Sequence, residues 1–280
     1  MAVSDGLQLN DPQTLYRRWE GSQWSPFDVD LATDQRQWPA LDEQQRGLVQ
    51  FVLASLMVAE ERITTKFAGL VMAADSEEEA SYLASQQVDE ARHMQFYGRF
   101  QDEVVAEPES LGAHVARSRE QLGEPFSVIF DQALVSAHDR LAADPRDEAA
   151  KVEFVTTYHL IIESTLGLTA FEFITRYLRQ NELLPGFVDG YSRIHHDEQR
   201  HIGYGIWLLR AAVERDPQLA DRVRGTLREL LPAVASALAP PESEGTDWEA
   251  LGAGGDEIRG FALQGLKRRL KIVGVPLETL

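Results

Sequence analysis

Asp89-Glu90-Ala91-Arg92-His93 and Asp197-Glu198-Gln199-Arg200-His201 repeat one pentad, Asp-Glu-x-Arg-His, in two distant parts of the chain. Each copy sits inside a long stretch with helical periodicity, and positions three apart on a helix share a face. Glu90 with His93, and Glu198 with His201, therefore each present one carboxylate and one imidazole to a single point. That is half of a two-metal site, twice. A Glu-x-x-His pair alone is weak evidence in so acidic a chain, so the reading rests on what the rest of the sequence supplies.

Two further carboxylates stand where apolar residues belong. Asp42 reads as the N-cap of a helix whose stripe, Leu53, Leu56, Met57, Ile63 and Phe67, follows the helical period; Glu60 lies on that stripe and Glu61 off it. Glu163 interrupts the run Leu160-Ile161-Ile162-Glu163-Ser164-Thr165-Leu166. A charge in an apolar core is costly unless it is paired or binds a metal. Helix bundles that hold two metals take one Glu from each of two helices and a Glu-x-x-His from each of two others. This chain supplies those parts in the order Glu, Glu-x-x-His, Glu, Glu-x-x-His. The expected ligands are Glu60, Glu90 and His93 for one metal and Glu163, Glu198 and His201 for the other, with Glu90 and Glu198 as the bridging pair. The competing reading is that Arg92 and Arg200 neutralise these acids in buried salt bridges. Asp89 and Asp197 are placed to brace ligand histidines through the far ring nitrogen. His195 and His196 fall off the Glu198/His201 face or at its edge, which suits a solvated or supporting role.

Around these motifs the pattern is helical almost throughout. Helices are expected from Asp42 onward, over Ser76–Val105 (with Ser76 and Glu79 as a capping box, before Pro108), Ser110–Gln121, Phe126–Ala143, Asp147–Gln180, Pro185–Glu214, Pro217–Ala239 and Asp256–Val273. Hairpin signals and sustained period-two alternation are missing, so the fold class is all-α, a long-helix bundle. The first forty residues, rich in Trp, Pro, Asp and Gln, read as an irregular N-terminal arm laid over the body, with Trp24 packed on it. The best loop, Pro240–Gly255, comes too near the C-terminus to separate two cores, so residues 41–280 are expected to form a single domain.

Composition narrows the chemistry. With 280 residues, 44% of them hydrophobic, the chain can bury a sizeable core. A formal net charge of −18 disfavours nucleic acid and anionic membrane surfaces as partners. There are no cysteines, which removes disulfides, thiolate zinc sites, iron–sulfur clusters and cysteine nucleophiles together. Any metal must bind through oxygen and imidazole, a donor set that suits iron and manganese. No signal-peptide pattern and no spanning apolar window occur, and the chain reads as a soluble cytoplasmic protein without a membrane span.

Trp24-Ser25-Pro26-Phe27-Asp28-Val29-Asp30, together with the four metal motifs as far as about Leu209, resembles the ribonucleotide reductase small-subunit superfamily of the ferritin-like fold. Within it the chain is most similar to the small-subunit-like ligand-binding oxidases. The resemblance implies a ferritin-like bundle with additional helices, a heterodinuclear Mn and Fe or a two-Fe cofactor, dioxygen as a reactant and a long-chain fatty acid held at the metals. It also implies an ether cross-link between a tyrosine five residues before the third carboxylate and a valine three after the first. Tyr158 stands five before Glu163, but the other position is Ile63; its tertiary β-hydrogen keeps the oxidation chemically open. Tyr97, four residues after His93, stands where similar reductase small subunits carry their radical tyrosine, and one turn beyond a ligand it lies close to the metals in either case. Such a subunit also resembles this chain only if a tyrosine follows on a flexible tail, and the last tyrosine here is Tyr204. The oxidase is therefore the favoured reading, with a radical-generating reductase subunit or a ferritin-like metal-binding protein as the alternatives. A storage protein implies a shell of many subunits and a shorter bundle, whereas the helices after Leu209 suggest a homodimer.

Overall fold

Asp11, Asp42, Ser76, Ser110 and Asp147 each turn a side-chain oxygen onto the free N–H groups of a following helix, and those helices set the course of the chain. The protein is seen in a computed structural model, which describes residues 9–105, 109–238 and 252–279. Pro108 and residues 240–251 of the expected loop lie outside the described residues, as do the first eight. The arm is less irregular than its composition suggests. Asp11 with Pro12 at the first helical position starts α1 (Pro12–Glu20), and a short α2 (Ala32–Gln37) follows. The body then runs through α3 (Glu43–Lys66), α4 (Ala68–Met72), α5 (Glu77–Phe100), α6 (Leu111–Gln121), α7 (Glu124–Phe126), α8 (Leu134–Ala143), α9 (Glu148–Val155), α10 (Leu168–Gln180), α11 (Pro185–Arg215), α12 (Leu219–Ala237) and α13 (Gly255–Val273). Among the described residues there is no strand, and no helix is long and apolar enough to cross a membrane.

Three of the expected helices contain π-helical stretches: Gln101–Val105, Ser127–Ala133 and, joining α9 to α10, Thr156–Gly167. The last decides the site. Its i→i+5 hydrogen bonding widens each turn, so positions five apart come to nearly the same face. Thr165 Oγ1 donates to the Leu160 carbonyl, five residues back, at 2.7 Å, in step with that register. Tyr158 and Glu163 thus look the same way, which an α-helix would not allow.

One capping expectation changes. Ser76 caps α5 through Glu79 N–H, but the Glu79 carboxylate does not return to the Ser76 N–H. Glu79 is buried, and it pairs with Lys151 Nζ at 3.1 Å and accepts the Tyr204 hydroxyl proton at 2.5 Å. A buried carboxylate needs a cation more than a cap needs reciprocity.

The long helices share a pattern of burial. Two apolar cores stack along the bundle, and three of the site helices contribute to both: Met57 and Ile63 on α3, Phe96 and Leu83 on α5, Ile194 and Ile202 on α11. Between those residues, at one height, come Glu60, then Glu90 and His93, then Glu198 and His201. A polar layer is thereby sealed above and below. Gly205 lets α11 close on the π segment, because a β-carbon there would meet His159 Cβ at 2.3 Å.

Candidate dinuclear metal centre

Glu60 comes from α3, Glu90 and His93 from α5, Glu163 from the π segment, and Glu198 and His201 from α11; all are buried except the partly exposed Glu198. Their donor atoms fall into two groups, each with every atom within 4.8 Å of the others. One comprises Glu60, Glu90, His93 and Glu198, and the other Glu90, Glu163, Glu198 and His201. Glu90 and Glu198 belong to both. His93 Nδ1 stands 3.5 Å from Glu60, 3.4 Å from Glu90 and 3.5 Å from Glu198. His201 Nδ1 stands 3.1 Å from Glu90, 3.3 Å from Glu163 and 3.8 Å from Glu198. The two imidazole centres are 6.1 Å apart.

The far ring nitrogens are braced in a crossed manner. His93 Nε2 lies 3.3 Å from Asp197 of the second pentad, and His201 Nε2 lies 3.2 Å from Asp89 of the first. Arg200 ties both aspartates together, at 3.0 Å from Asp89 and 2.6 Å from Asp197, and Arg92 lies 2.8 Å from Asp89. The arginines therefore neutralise the bracing aspartates and leave the glutamates to each other, contrary to the salt-bridge reading. The arm completes the frame, with Trp19 Nε1 donating to Asp89 at 2.9 Å and Trp24 Nε1 to Asp197 at 2.7 Å. Trp24 thus carries a directed bond as well as the packing expected of it. Glu61, off the stripe, pairs with Arg119 away from the centre.

Two supporting residues escaped the sequence reading. Trp19 has no local signal, since its partner is 70 positions away. Gln86 stands one turn before Glu90 and was legible in principle from that spacing; its amide donates to Tyr158 Oη at 2.9 Å and approaches Glu163 at 3.4 Å. The Tyr158 hydroxyl in turn donates to Glu90. The Tyr158 ring packs edge-on against Phe67, one turn beyond Ile63 on the same helix stretch, with centroids 5.5 Å apart. Tyr97 is fully buried one turn past His93. His196 is exposed, and His195 is half-buried, stacked on Phe171 at 3.7 Å.

Without metal, this many acids in a largely buried layer must hold protons. Burial pushes Glu60 up to about 8 and Glu163 well above the usual carboxylate range, the latter reinforced by Glu198. Burial opposes the charge of His93 and His201, yet the carboxylates around them, Glu60 foremost at His93 and Glu90 foremost at His201, together outweigh it and hold both imidazoles well above their ordinary value. Burial would also raise Glu90 and Asp197, but His201 beside the first and His93 beside the second keep them low. The folded metal-free protein therefore binds more protons than the unfolded chain at neutral pH. The stability contributed by the raised groups is full below their unfolded values, 4.5 for Glu60 and 6.5 for the histidines, and is lost as pH rises through the folded ones. The depressed Glu90 and Asp197 act in the opposite sense, but their gain is complete above their unfolded values, 4.5 and 3.8; His159 and His195, which burial lowers from 6.5, also oppose the trend, and the four raised groups outnumber them. Melting curves of chelator-treated protein are thus expected to show Tm falling from about pH 5.5 to 8, and saturating manganese(II) should flatten that slope because cations replace the protons. A Tm that rises across this window would contradict the arrangement.

Beside the centre lies a partly open apolar cavity of about 140 Å³. Glu60, Glu163 and Glu198 form its polar end, and Phe51, Phe130, Leu166 and Ile174 are among its apolar walls.

Solved structures of R2-like ligand-binding oxidase superpose on most of the chain. An engineered variant with an anaerobically reconstituted Mn/Fe cofactor matches at TM-score 0.81 and 23% identity, over 95% of this chain and 94% of that one. A second, also anaerobically reconstituted with Mn/Fe, matches at TM-score 0.82 and 23% identity over 97% and 96%. At such identity the likeness speaks for the fold. The sequence itself matches the family model for the ribonucleotide reductase small chain over residues 7–233, a span that takes in the arm tryptophans and all six converging glutamates and histidines. A four-helix polar layer with crossed aspartate braces, in a chain matched over that length, makes this protein a member of the ribonucleotide reductase small-chain family.

Proposed function

We propose that the protein is an oxygen-activating oxidase with a dinuclear centre, Mn and Fe or two Fe, that holds a long-chain fatty acid or similar apolar ligand beside its metals. The observation that carries the reading is the state of the donor atoms. Glu60 Oε2, Glu90 Oε2, His93 Nδ1, Glu163 Oε2, Glu198 Oε2 and His201 Nδ1 are all buried with no hydrogen-bond partner. Unpaired buried polar atoms are rare because each forfeits its hydration, and here six converge. Divalent cations satisfy all of them at once. The oxygen and imidazole donor set fits iron and manganese, and the R2-like ligand-binding oxidase structures carry Mn/Fe.

In this reading Glu60, Glu90 and His93 would hold one metal and Glu163, Glu198 and His201 the other, Glu90 and Glu198 belonging to both groups of donor atoms. Once bound, the metals supply activation of dioxygen and oxidation of an unactivated C–H bond. The chain's own part is to fix the imidazoles through Asp197 and Asp89, to exclude water by the two apolar cores, and to place Tyr158 with its hydroxyl on Glu90. The apolar cavity receives the acyl chain, with the acid head at its glutamate end. Tyr158 and Ile63 are the residues we assign to the covalent cross-link. A homodimer in the cytoplasm is our reading of its assembly and location, the dimer being supported by α12 and α13 beyond the metal helices.

The test is reconstitution with iron and manganese, followed by anomalous scattering at both edges. Two ions per chain, roughly 3.5–4 Å apart, are expected. One ion, or none, would overturn the reading.

A further inference from the structure

We propose that Trp19 and Tyr16 form an exit through which oxidising equivalents left unspent at the metal centre reach the surface, where a small thiol quenches them on Tyr16. The proposal rests on the oxygen-activating reading above and adds a route that leads away from the substrate.

A centre that oxidises unactivated C–H bonds is as strong an oxidant when no substrate is in place. The chain has no cysteine to intercept it, so the side chains that give up an electron most readily are Tyr and Trp. A tyrosine does so only when its phenolic proton has a base within hydrogen-bond reach, and it can be repaired from solution only when it is exposed. Tyr16 meets both conditions. Six of the seven tyrosines are buried and Tyr16 is not. Its hydroxyl donates to the exposed Glu20, one turn further along α1, at 2.7 Å. The buried tyrosines lack one condition or both. Tyr82, Tyr97 and Tyr191 have hydroxyls with no partner, and Tyr204, though bonded to Glu79, is 0% exposed and shares that carboxylate with Lys151.

The connection to the centre is short. His201 Nε2 lies 3.2 Å from one oxygen of Asp89, Trp19 Nε1 donates to the other at 2.9 Å, and the Trp19 and Tyr16 ring centroids are 5.7 Å apart. One carboxylate and two rings thus join a metal-facing imidazole to the surface.

The second arm tryptophan shares the first link and lacks the rest. Trp24 donates to Asp197, which braces His93. Over its ring, at 5.7 Å, stands the Arg92 guanidinium, and its aromatic neighbour is Phe96, edge-on at 6.4 Å. A cation on the π face is held by the electrons that oxidation would remove, so it opposes their loss. Phenylalanine is too hard to oxidise to pass a hole onward. The two braces are alike around the metals and differ in where they lead.

The electrons balance as follows. Trp19 gives one electron by way of Asp89 and His201 to the centre, which dioxygen has oxidised, and keeps its indole proton in the Asp89 hydrogen bond. Tyr16 returns one electron to Trp19 and passes its phenolic proton to Glu20. A thiol then gives Tyr16 a hydrogen atom: the S–H bond breaks, the Tyr16 O–H bond reforms and Glu20 releases its proton to water. Two such events leave two thiyl radicals, which couple as a disulfide.

The test is trapping. The Tyr158→Phe chain, in which the cross-link cannot form, is loaded with manganese(II) and iron(II) and exposed to air with a nitroso spin trap and no acyl ligand, then digested for peptide mapping by mass spectrometry. The adduct is expected on Tyr16, in higher yield than in the unaltered chain, and added cysteine should suppress it. Tyr16→Phe in the same background should move the adduct to Trp19. Glu20→Gln, which keeps an acceptor but not a base, should lower the yield on Tyr16. Trp19→Phe should abolish it, compared at equal metal content because Trp19 also supports Asp89. An adduct on Trp24 instead, a Tyr16 adduct that survives Trp19→Phe or forms equally in chelator-treated protein, or dioxygen consumed with neither residue labelled would overturn the exit and leave the oxidase reading standing. A metal-loaded chain that consumes no dioxygen would overturn both.

Discussion

Glu90→Gln is expected to empty both metal positions, whereas Glu163→Gln should leave one. Glu90 belongs to both donor groups and Glu163 to one. Loss of a group that merely orients a ligand costs about 10–100-fold in metal affinity, so loss of a shared ligand should exceed ~100-fold at each position. Metal content after reconstitution and desalting reads this directly: two ions for the unaltered chain, one for Glu163→Gln and none for Glu90→Gln. Thermal melts provide an independent check. A ligand at a thousand times its Kd stabilises by about 4 kcal/mol, so the lost position should lower the metal-loaded Tm of Glu163→Gln by roughly 8 °C. In the chelated protein the sign should reverse as pH rises. Burial and Glu198 hold Glu163 well above the ordinary carboxylate range, so ionising it there weakens the fold, and a neutral amide of similar size removes that penalty. Two ions retained in Glu90→Gln, or an equal Tm loss with and without metal, would remove Glu90 and Glu163 from the centre.

Aerobic reconstitution is expected to yield one peptide pair joined from the Tyr158 oxygen to the Ile63 β-carbon, two hydrogens lighter than the separate peptides. The step breaks one O–H and one C–H bond and forms one C–O bond, and the two electrons and two protons released pass to dioxygen. The chain prepares for it locally. Gln86 donates to the Tyr158 oxygen while the hydroxyl points to Glu90, so the phenol is held and has a carboxylate to receive its proton. Ile63 is buried one turn past Glu60 and lines the cavity. Its branched β-carbon carries the single tertiary hydrogen the reaction needs. Tyr158→Phe should abolish the linked species completely while two ions still bind, and protein reconstituted without dioxygen should show only separate peptides. Finding only separate peptides after aerobic treatment would withdraw the cross-link and leave the metal reading intact. A stable radical on Tyr97 in its place would move the assignment to a reductase subunit.

Glu60, Glu90, His93, Glu163, Glu198 and His201 were legible from their positions alone, because a carboxylate on an apolar stripe and a Glu-x-x-His spacing are local statements about one helix. The bracing residues were legible only in part. Asp89 and Asp197 are adjacent to the glutamates in sequence, which marks them as neighbours of the centre but not as partners of a particular histidine.

By itself the sequence determined the long helices of the body, the cap at Asp42 and the chemistry available to the centre, since each depends on residues within a turn or two of one another. The tertiary structure decided which partner each group took. Asp197 braces His93 across 104 positions and Asp89 braces His201 across 112, because the two pentads meet face to face only when α5 and α11 pack. Asp34 of the arm, not a neighbour in sequence, receives the N–H groups of Gly186 and Phe187 at 2.8 and 2.7 Å and so caps α11. The π register that turns Tyr158 and Glu163 to one side has no residue-type signature of its own. Local periodicity fixes the direction of a side chain relative to its own helix axis; what it meets there depends on the rotation and approach of the other helices, which packing of the two apolar cores sets.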